Sequence, residues 1–185
     1  MERRILIGGF GGQGVMMIGQ LLSYTACETT DKNVLYFPSY GSEQRGGTAN
    51  CYVTISDEQI GGPVGQEIDN VIVLNEPSLL KFEERVKPGG LLFMNSSIIK
   101  AEPKRDDITV IRVPANEVAE EIGSGKIANL VMLGTYIGYT DALPEENVLA
   151  TALKKLGAKR PWLNEMNEKA FRTGLAYGKE QKSRA

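Results

Sequence analysis

The sequence contains no histidine, which removes the commonest general base and the commonest transition-metal ligand near neutral pH. Cysteine is scarce: Cys27 and Cys51 are the two in the chain. They lie far apart and outside any C-x-x-C pair, which argues against an iron–sulfur cluster or zinc site carried by this chain alone. Two buried free thiols are the simpler reading. No apolar run approaches the ~20 residues of a membrane span, and the opening MERRIL leads straight into a glycine loop rather than an apolar leader. A cytoplasmic location, away from membranes, is expected. Charge of one sign is not in excess either: 21 Lys and Arg oppose 23 Asp and Glu for a net charge of −2. Mixed along the chain, these charges give no field for nucleic acid or an anionic surface. Repeats, low-complexity tracts and linkers are missing. What remains is a single domain over residues 1–185, long enough for a sizeable core. No residue qualifies as catalytic and none as a metal ligand, so catalysis by this chain alone is disfavoured.

Glycine is what the chain has in quantity, and its placement organises the rest. Ile5-Leu6-Ile7 predicts a strand, and Val15 to Ile18 followed by Leu21-Leu22 recurs at helical spacing. Between them, Gly9-Phe10-Gly11-Gly12-Gln13-Gly14 fits G-x-G-x-x-G, a spacing that lets a backbone turn sharply, approach a phosphate and pack a helix against its strand. The helix start adds unpaired N–H groups and a partial positive charge. Two readings stay open: a bound phosphate group, or glycines that serve only a close turn or a subunit contact.

The first helix is expected to end near Thr29-Thr30-Asp31. Asn33 to Phe37 reads as the second strand, stopped by Pro38. A nicotinamide-dinucleotide site would place an Asp or Glu at that strand's tip; Pro38-Ser39-Tyr40-Gly41 stands there instead. The loop from Pro38 to Thr48 is glycine-rich. Its Arg45-Gly46-Gly47 combines a five-donor fork with close backbone approach, suited to a phosphate or carboxylate, or to an ion pair with Glu43 or a neighbouring subunit. Ala49 to Ser56 follows without an intervening helix, so it is expected to be an antiparallel strand at or near a sheet edge. Asp69 to Asn75 reads as a central parallel strand. A helix over 76–87 has Asn75 as N-cap and Pro77 in its first turn, and Leu91 to Met94 is a strand after it. Ile108 to Val113 is a further strand, and helices are expected from Pro114 to Ile122, over Ile127 to Gly138, from Leu143-Pro144 to Leu156, and from Pro161 to Gly178. The polar segment 179–185 is expected to fray. The helix at 127–138 is apolar nearly all round and so buried in the core or under a partner. Its polar Asn129 is either a ligand contact or internally hydrogen-bonded. Strands alternating with helices predict an α/β fold: three layers, a largely parallel sheet and a Rossmann-like start, with both glycine loops at the carboxyl ends of strands, where such sheets bind ligands.

The loop Gly8 to Gly14, the segment Tyr40 to Cys51 (YGSEQRGGTANC) with Ser56-Asp57, and Asn129 to Gly134 (NLVMLG) together resemble the gamma subunit of 2-oxoacid:ferredoxin oxidoreductases. The resemblance covers essentially the whole chain. Members of that family decarboxylate a 2-oxoacid oxidatively, pass two electrons to ferredoxin and form an acyl-coenzyme A. The resemblance implies alpha, beta and in some cases delta partner subunits. Thiamine diphosphate and 4Fe-4S clusters would sit in those partners, and this chain would share in assembly and in coenzyme A binding. On that reading the coenzyme A pyrophosphate meets the backbone of Gly11 to Gly14, with Gln13 helping, and Arg45 makes a phosphate or subunit contact; Gly9, Gly46, Gly47 and Asn129 complete the expected cofactor-binding set. The form of the Arg45 loop is similar to 2-oxoglutarate and branched-chain enzymes more than to pyruvate enzymes. Ser42 stands where the family often has proline, and Gly62 where serine is expected. The competing readings are a free-standing Rossmann-type nucleotide-binding oxidoreductase and a non-catalytic docking subunit.

Overall fold

The structure is a computed structural model that describes residues 1–40, 48–62, 65 and 67–185. The chain forms two compact units, Met1–Arg112 and Val113–Ala185. The sheet contains β1 (Glu2–Phe10), β2 (Asn33–Tyr40), β3 (Thr48–Ser56), β4 (Ile68–Val73), β5 (Val86–Asn95) and β6 (Thr109–Val113), in the order β2-β3-β1-β4-β5-β6. β1 is parallel to β4, and β4 to β5. β3 is antiparallel to both β1 and β2. β1, β2, β4 and β5 therefore run one way with β3 inverted among them, one place in from the edge, which agrees with a largely parallel sheet.

In the first unit α1 (Val15–Thr29) and α2 (Glu76–Phe82) cover opposite faces of this sheet. Successive strand residues point to opposite faces, and two glycines of β1 locate the helices. A Cβ on Gly8 would lie 2.8 Å from the Phe82 ring of α2, and one on Gly9 would lie 2.8 Å from Val15 of α1. The result is three layers. Leu6, Val71, Val73, Leu79, Phe82, Leu92 and Met94 form the core on the α2 side, and burying each such side chain contributes about 1.5–3 kcal/mol. The α2 start is built as its sequence predicts: Asn75 Oδ1 accepts from Ser78 N at 2.9 Å, and Pro77 occupies the first turn.

Three expected boundaries move. β2 runs through Pro38 to Tyr40, because an edge strand has an unpaired side where a residue without an N–H is tolerated. The helix expected over 76–87 ends at Phe82 and tightens into a 3-10 turn at Glu83–Arg85. β5 already begins at Val86, which pairs with Ile68; Pro88 biases the residue before it toward extended backbone.

The second unit contains α3 (Ala115–Ile122), α4 (Ala128–Thr140), α5 (Glu145–Gly157) and α6 (Asn164–Arg184). α4 is buried over ten consecutive residues, Asn129 to Gly138, as its apolar circumference predicts. It crosses α6 through G-x-x-x-G pairs on both helices. A Cβ on Gly134 would sit 2.1 Å from the Phe171 carbonyl oxygen, and one on Gly174 2.1 Å from that of Val131. Gly138 and Gly178 meet Leu175 and Thr135 carbonyl oxygens in the same way, at 2.2 Å each. Hydrogen in place of a side chain is what lets the two backbones touch. The expectation of a frayed tail at 179–185 is corrected: α6 continues to Arg184. The tail has no Gly or Pro beyond Gly178, and Lys179 pairs with Glu145 at 2.5 Å while Lys182 pairs with Asp141.

Candidate functional site

β1 delivers the chain to a turn whose conformation only glycine adopts without strain. Gly12 has φ +94° and Gly14 φ +87°, values that cost a side chain-bearing residue roughly 1–2 kcal/mol. Gly14 is also the N-cap of α1, with no side-chain cap bond and no acidic residue in the helix's first turn. The first N–H groups and the positive end of the helix are thus left available to an anion. Nothing lies within 4 Å of the Cβ position of Gly11 or Gly12, and both are exposed. The turn is an open backbone cradle at the carboxyl end of β1, beside the carboxyl end of its parallel neighbour β4.

Gln13 holds this turn in shape. Its Oε1 accepts from Phe10 N at 2.7 Å, and its Nε2 donates to Leu74 O at 3.1 Å. One side chain therefore ties the start of the loop to the end of β4, and its amide is spent inside the chain. Gly9 belongs to the buried strand rather than the turn; a Cβ there would meet Val15, Gln13 Oε1 and Leu74 within 3.1 Å. Of the predicted residues, Gly11, Gly12 and Gly14 line the cradle, Gln13 braces it and Gly9 packs α1 onto β1. Arg45, Gly46 and Gly47 lie outside the described residues. Asn129 is the second residue of α4 in the other unit, 4 % exposed. Its Oδ1 accepts from Leu130 N at 2.9 Å, the internal bond that was one of its two readings.

The cradle offers backbone donors and, among the described residues, no side chain that titrates near neutrality. The expectation of two buried thiols holds for Cys51, whose Sγ donates to Val15 O at 3.6 Å beneath α1 and whose thiol is pushed by burial up to about 12, and is corrected for Cys27, which is exposed near the end of α1. Among the described residues no cluster of three or more His, Cys, Asp or Glu is placed to hold a metal ion, and no helix is long and apolar enough to cross a membrane. A polar hollow of about 230 Å³, lined by Glu2, Arg4, Glu67, Asp69 and Lys87, lies at the amino ends of β1 and β4. That is the end away from the cradle, and four of its charges pair with one another, Arg4 with Glu2 and Lys87 with Asp69.

Sequence reasoning missed two features. The bracing role of Gln13 leaves no local signature, because its second partner is Leu74. The α4 and α6 glycines carry a readable one, the G-x-x-x-G spacing repeated at Gly134/Gly138 and Gly174/Gly178.

The family model described as pyruvate ferredoxin/flavodoxin oxidoreductase matches residues 4–177, a span that crosses both units. The chain is similar to the ketoisovalerate oxidoreductase subunit VorA of Methanothermobacter thermautotrophicus, 35 % identical over 97 % of this chain, but it spans only 37 % of that protein's length. It is 30 % identical to the 2-oxoglutarate synthase subunit KorC of Methanocaldococcus jannaschii, covering 97 % of this chain and 96 % of that one. Among solved structures, the keto/oxoacid ferredoxin oxidoreductase gamma subunit from Geobacter sulfurreducens superposes with a TM-score of 0.84 at 26 % identity, over 97 % of this chain and 98 % of that one. A 2-oxoglutarate:ferredoxin oxidoreductase from Magnetococcus marinus, with 2-oxoglutarate, coenzyme A and succinyl-CoA bound, shares the fold with a TM-score of 0.87 at 24 % identity, over 97 % of this chain and 31 % of that one.

Proposed function

We propose, on the premise that this chain belongs to the pyruvate ferredoxin/flavodoxin oxidoreductase family, that it is the gamma-type subunit of a cytoplasmic 2-oxoacid:ferredoxin oxidoreductase whose coenzyme A site it helps to form. The complex converts a 2-oxoacid and coenzyme A to acyl-CoA and carbon dioxide, and two ferredoxins take one electron each. The relatives named for 2-oxoglutarate and ketoisovalerate support 2-oxoglutarate or a branched-chain 2-oxoacid as substrate. The chain acts as one functional domain over 1–185, a reading supported by a family match that crosses both units.

The observation that carries the proposal is the open cradle at Gly11 and Gly12, with its uncapped helix start. A pyrophosphate is the part of coenzyme A that such a cradle suits, since several backbone N–H groups converge on one anion without a side chain in the way. Gly11, Gly12 and Gly14 hold it, Gln13 keeps the turn in register, and Arg45 with Gly46-Gly47 supplies a second phosphate or subunit contact. The coenzyme A in the Magnetococcus relative supports this assignment. Thiamine diphosphate and the 4Fe-4S clusters belong to alpha, beta and, where present, delta partners, and ferredoxin meets the assembled complex. The free-standing nucleotide-binding reading is weaker, because β2 carries no acidic residue through Tyr40 to hold a ribose.

The test is anaerobic purification of the tagged chain from its own cells. Co-purifying subunits should reduce ferredoxin in the presence of coenzyme A and either 2-oxoglutarate or a branched-chain 2-oxoacid. Recovery of the chain alone, without that activity, would overturn the proposal.

A further inference from the structure

The connection from β5 to β6, residues 96–108, has no helix or strand of its own. That is long for an irregular link inside a compact unit, where connections of ~4–6 residues are usual. It leaves the carboxyl end of β5, where Ile98 N and Ile99 N donate to Asn95 O at 3.2 and 3.0 Å, and returns to the first half of that strand, where Gly89 N donates to Asp107 O at 2.7 Å. Two glutamates of one helical segment hold it on the way. Glu76, in the first turn of α2, accepts through Oε2 from Lys100 N at 3.1 Å and from Ala101 N at 3.0 Å. Glu83, at the start of the 3-10 turn that follows α2, accepts through Oε1 from Lys104 N and from Arg105 N at 2.8 Å. Each carboxylate therefore grips two successive main-chain donors, and hydrogen bonds to an ionised acceptor are the strong kind. Glu83 is only 4 % exposed, and those donors are what makes a buried carboxylate tolerable.

We infer that residues 96–108 are a strap that opens and closes as one unit while α2 and β5 stay folded, and that Glu76 and Glu83 are its two catches. Apolar burial holds the strap only lightly. Ile99 is its one buried side chain, with Ala101 and Ile108 partly buried against the α2-side core. Lys100, Glu102, Lys104 and Asp106 are exposed. The side-chain ties are few as well: Arg105 donates to Val86 O and pairs with Asp107, and Glu102 pairs with Arg112 in the open. Segments with so few buried apolar contacts open at free energies well below that of global unfolding. Because both catches grip main-chain N–H groups, the outward side chains of the strap have no part in closure. The strap starts at the carboxyl edge of the sheet, the edge that carries the cradle, so closure fixes the rim at Ser96 to Ile98 beside the start of α2. The device follows from the fold alone, and the proposed function neither requires nor excludes it.

The test is hydrogen exchange of the full chain, in the form in which it purifies from its cells, for wild type, Glu83→Gln and Glu76→Gln. Both substitutions keep the size of the side chain and remove the charge that grips the donors. In wild type the amides of Lys100, Ala101, Lys104 and Arg105 should open with one common free energy, below that of the α2 and β5 amides. Glu83→Gln should speed exchange at all four by about tenfold, including the two that bond Glu76, and leave α2 and β5 as protected as in wild type. Glu76→Gln, at a half-buried site, should speed the same four by a smaller factor, and it carries the test if Glu83→Gln does not fold. Faster exchange confined to the two amides that bond the substituted residue would overturn the single unit. Equal acceleration throughout α2 and β5, or none at any of the four amides, would overturn the strap.

Discussion

Two groups of glycines in this chain answer to opposite physical demands. At the β1–α1 turn, Gly11 and Gly12 have nothing within 4 Å of their Cβ positions, and what Gly12 needs is its left-handed backbone at φ +94°. In the α4–α6 crossing, Gly134 and Gly174 have right-handed backbone but a carbonyl oxygen 2.1 Å from the Cβ position. The first pair leaves room for something that is not part of the chain; the second leaves room only for the chain itself. Sequence composition counts all four alike. Space around the missing side chain separates a binding feature from a packing feature.

The contrast predicts a graded series. Gly174→Val should be the most damaging, since neither backbone can retreat, with a loss of about 3 kcal/mol or more and a large drop in melting temperature. Gly12→Ala should cost only its backbone strain, ~1–2 kcal/mol; a loss as large as that of Gly174→Val in a melting experiment would break the comparison. Gln13→Ala should come next, at about 1 kcal/mol for two lost hydrogen bonds at a half-exposed site, with faster hydrogen exchange at the Phe10 amide as its specific mark. The smallest effect at neutral pH is at Cys51, where burial holds the thiol at about 12 against an ordinary 9.0. Stability from the neutral thiol is fully present below pH 9.0 and is lost as pH rises toward about 12, since over that window the unfolded chain releases a proton the folded chain keeps. Cys51→Ala should therefore flatten the alkaline fall in melting temperature, and a thiol reagent should label exposed Cys27 while sparing Cys51 in the folded chain.

Much of this was legible in the sequence, for identifiable reasons. β1, α1, β3 and the Asn75-capped α2 were readable because apolar period, glycine placement and cap chemistry are local signals. The early second and third strands, lacking a helix between them, gave the inverted β3. The errors lie where a distant partner overrides local preference. Pro38 stays in a strand because that strand is an edge, Val86 is drawn into β5 by Ile68, and the polar tail stays helical through charges on α5 and at the end of α4. The candidate site was legible as a motif. Its division of labour was not, because the difference between a cradle residue such as Gly11, a brace such as Gln13 and a packing residue such as Gly9 depends on which atoms the fold brings beside them.

The most direct test of the central claim is the KM for coenzyme A of the assembled complex carrying Gly11→Val. The side chain would enter open space at a position without left-handed backbone, so the melting temperature and the KM for the 2-oxoacid should match wild type. The KM for coenzyme A should rise about tenfold or more, as expected when a phosphate loses its backbone donors. An intact complex with an unchanged KM for coenzyme A would contradict the account.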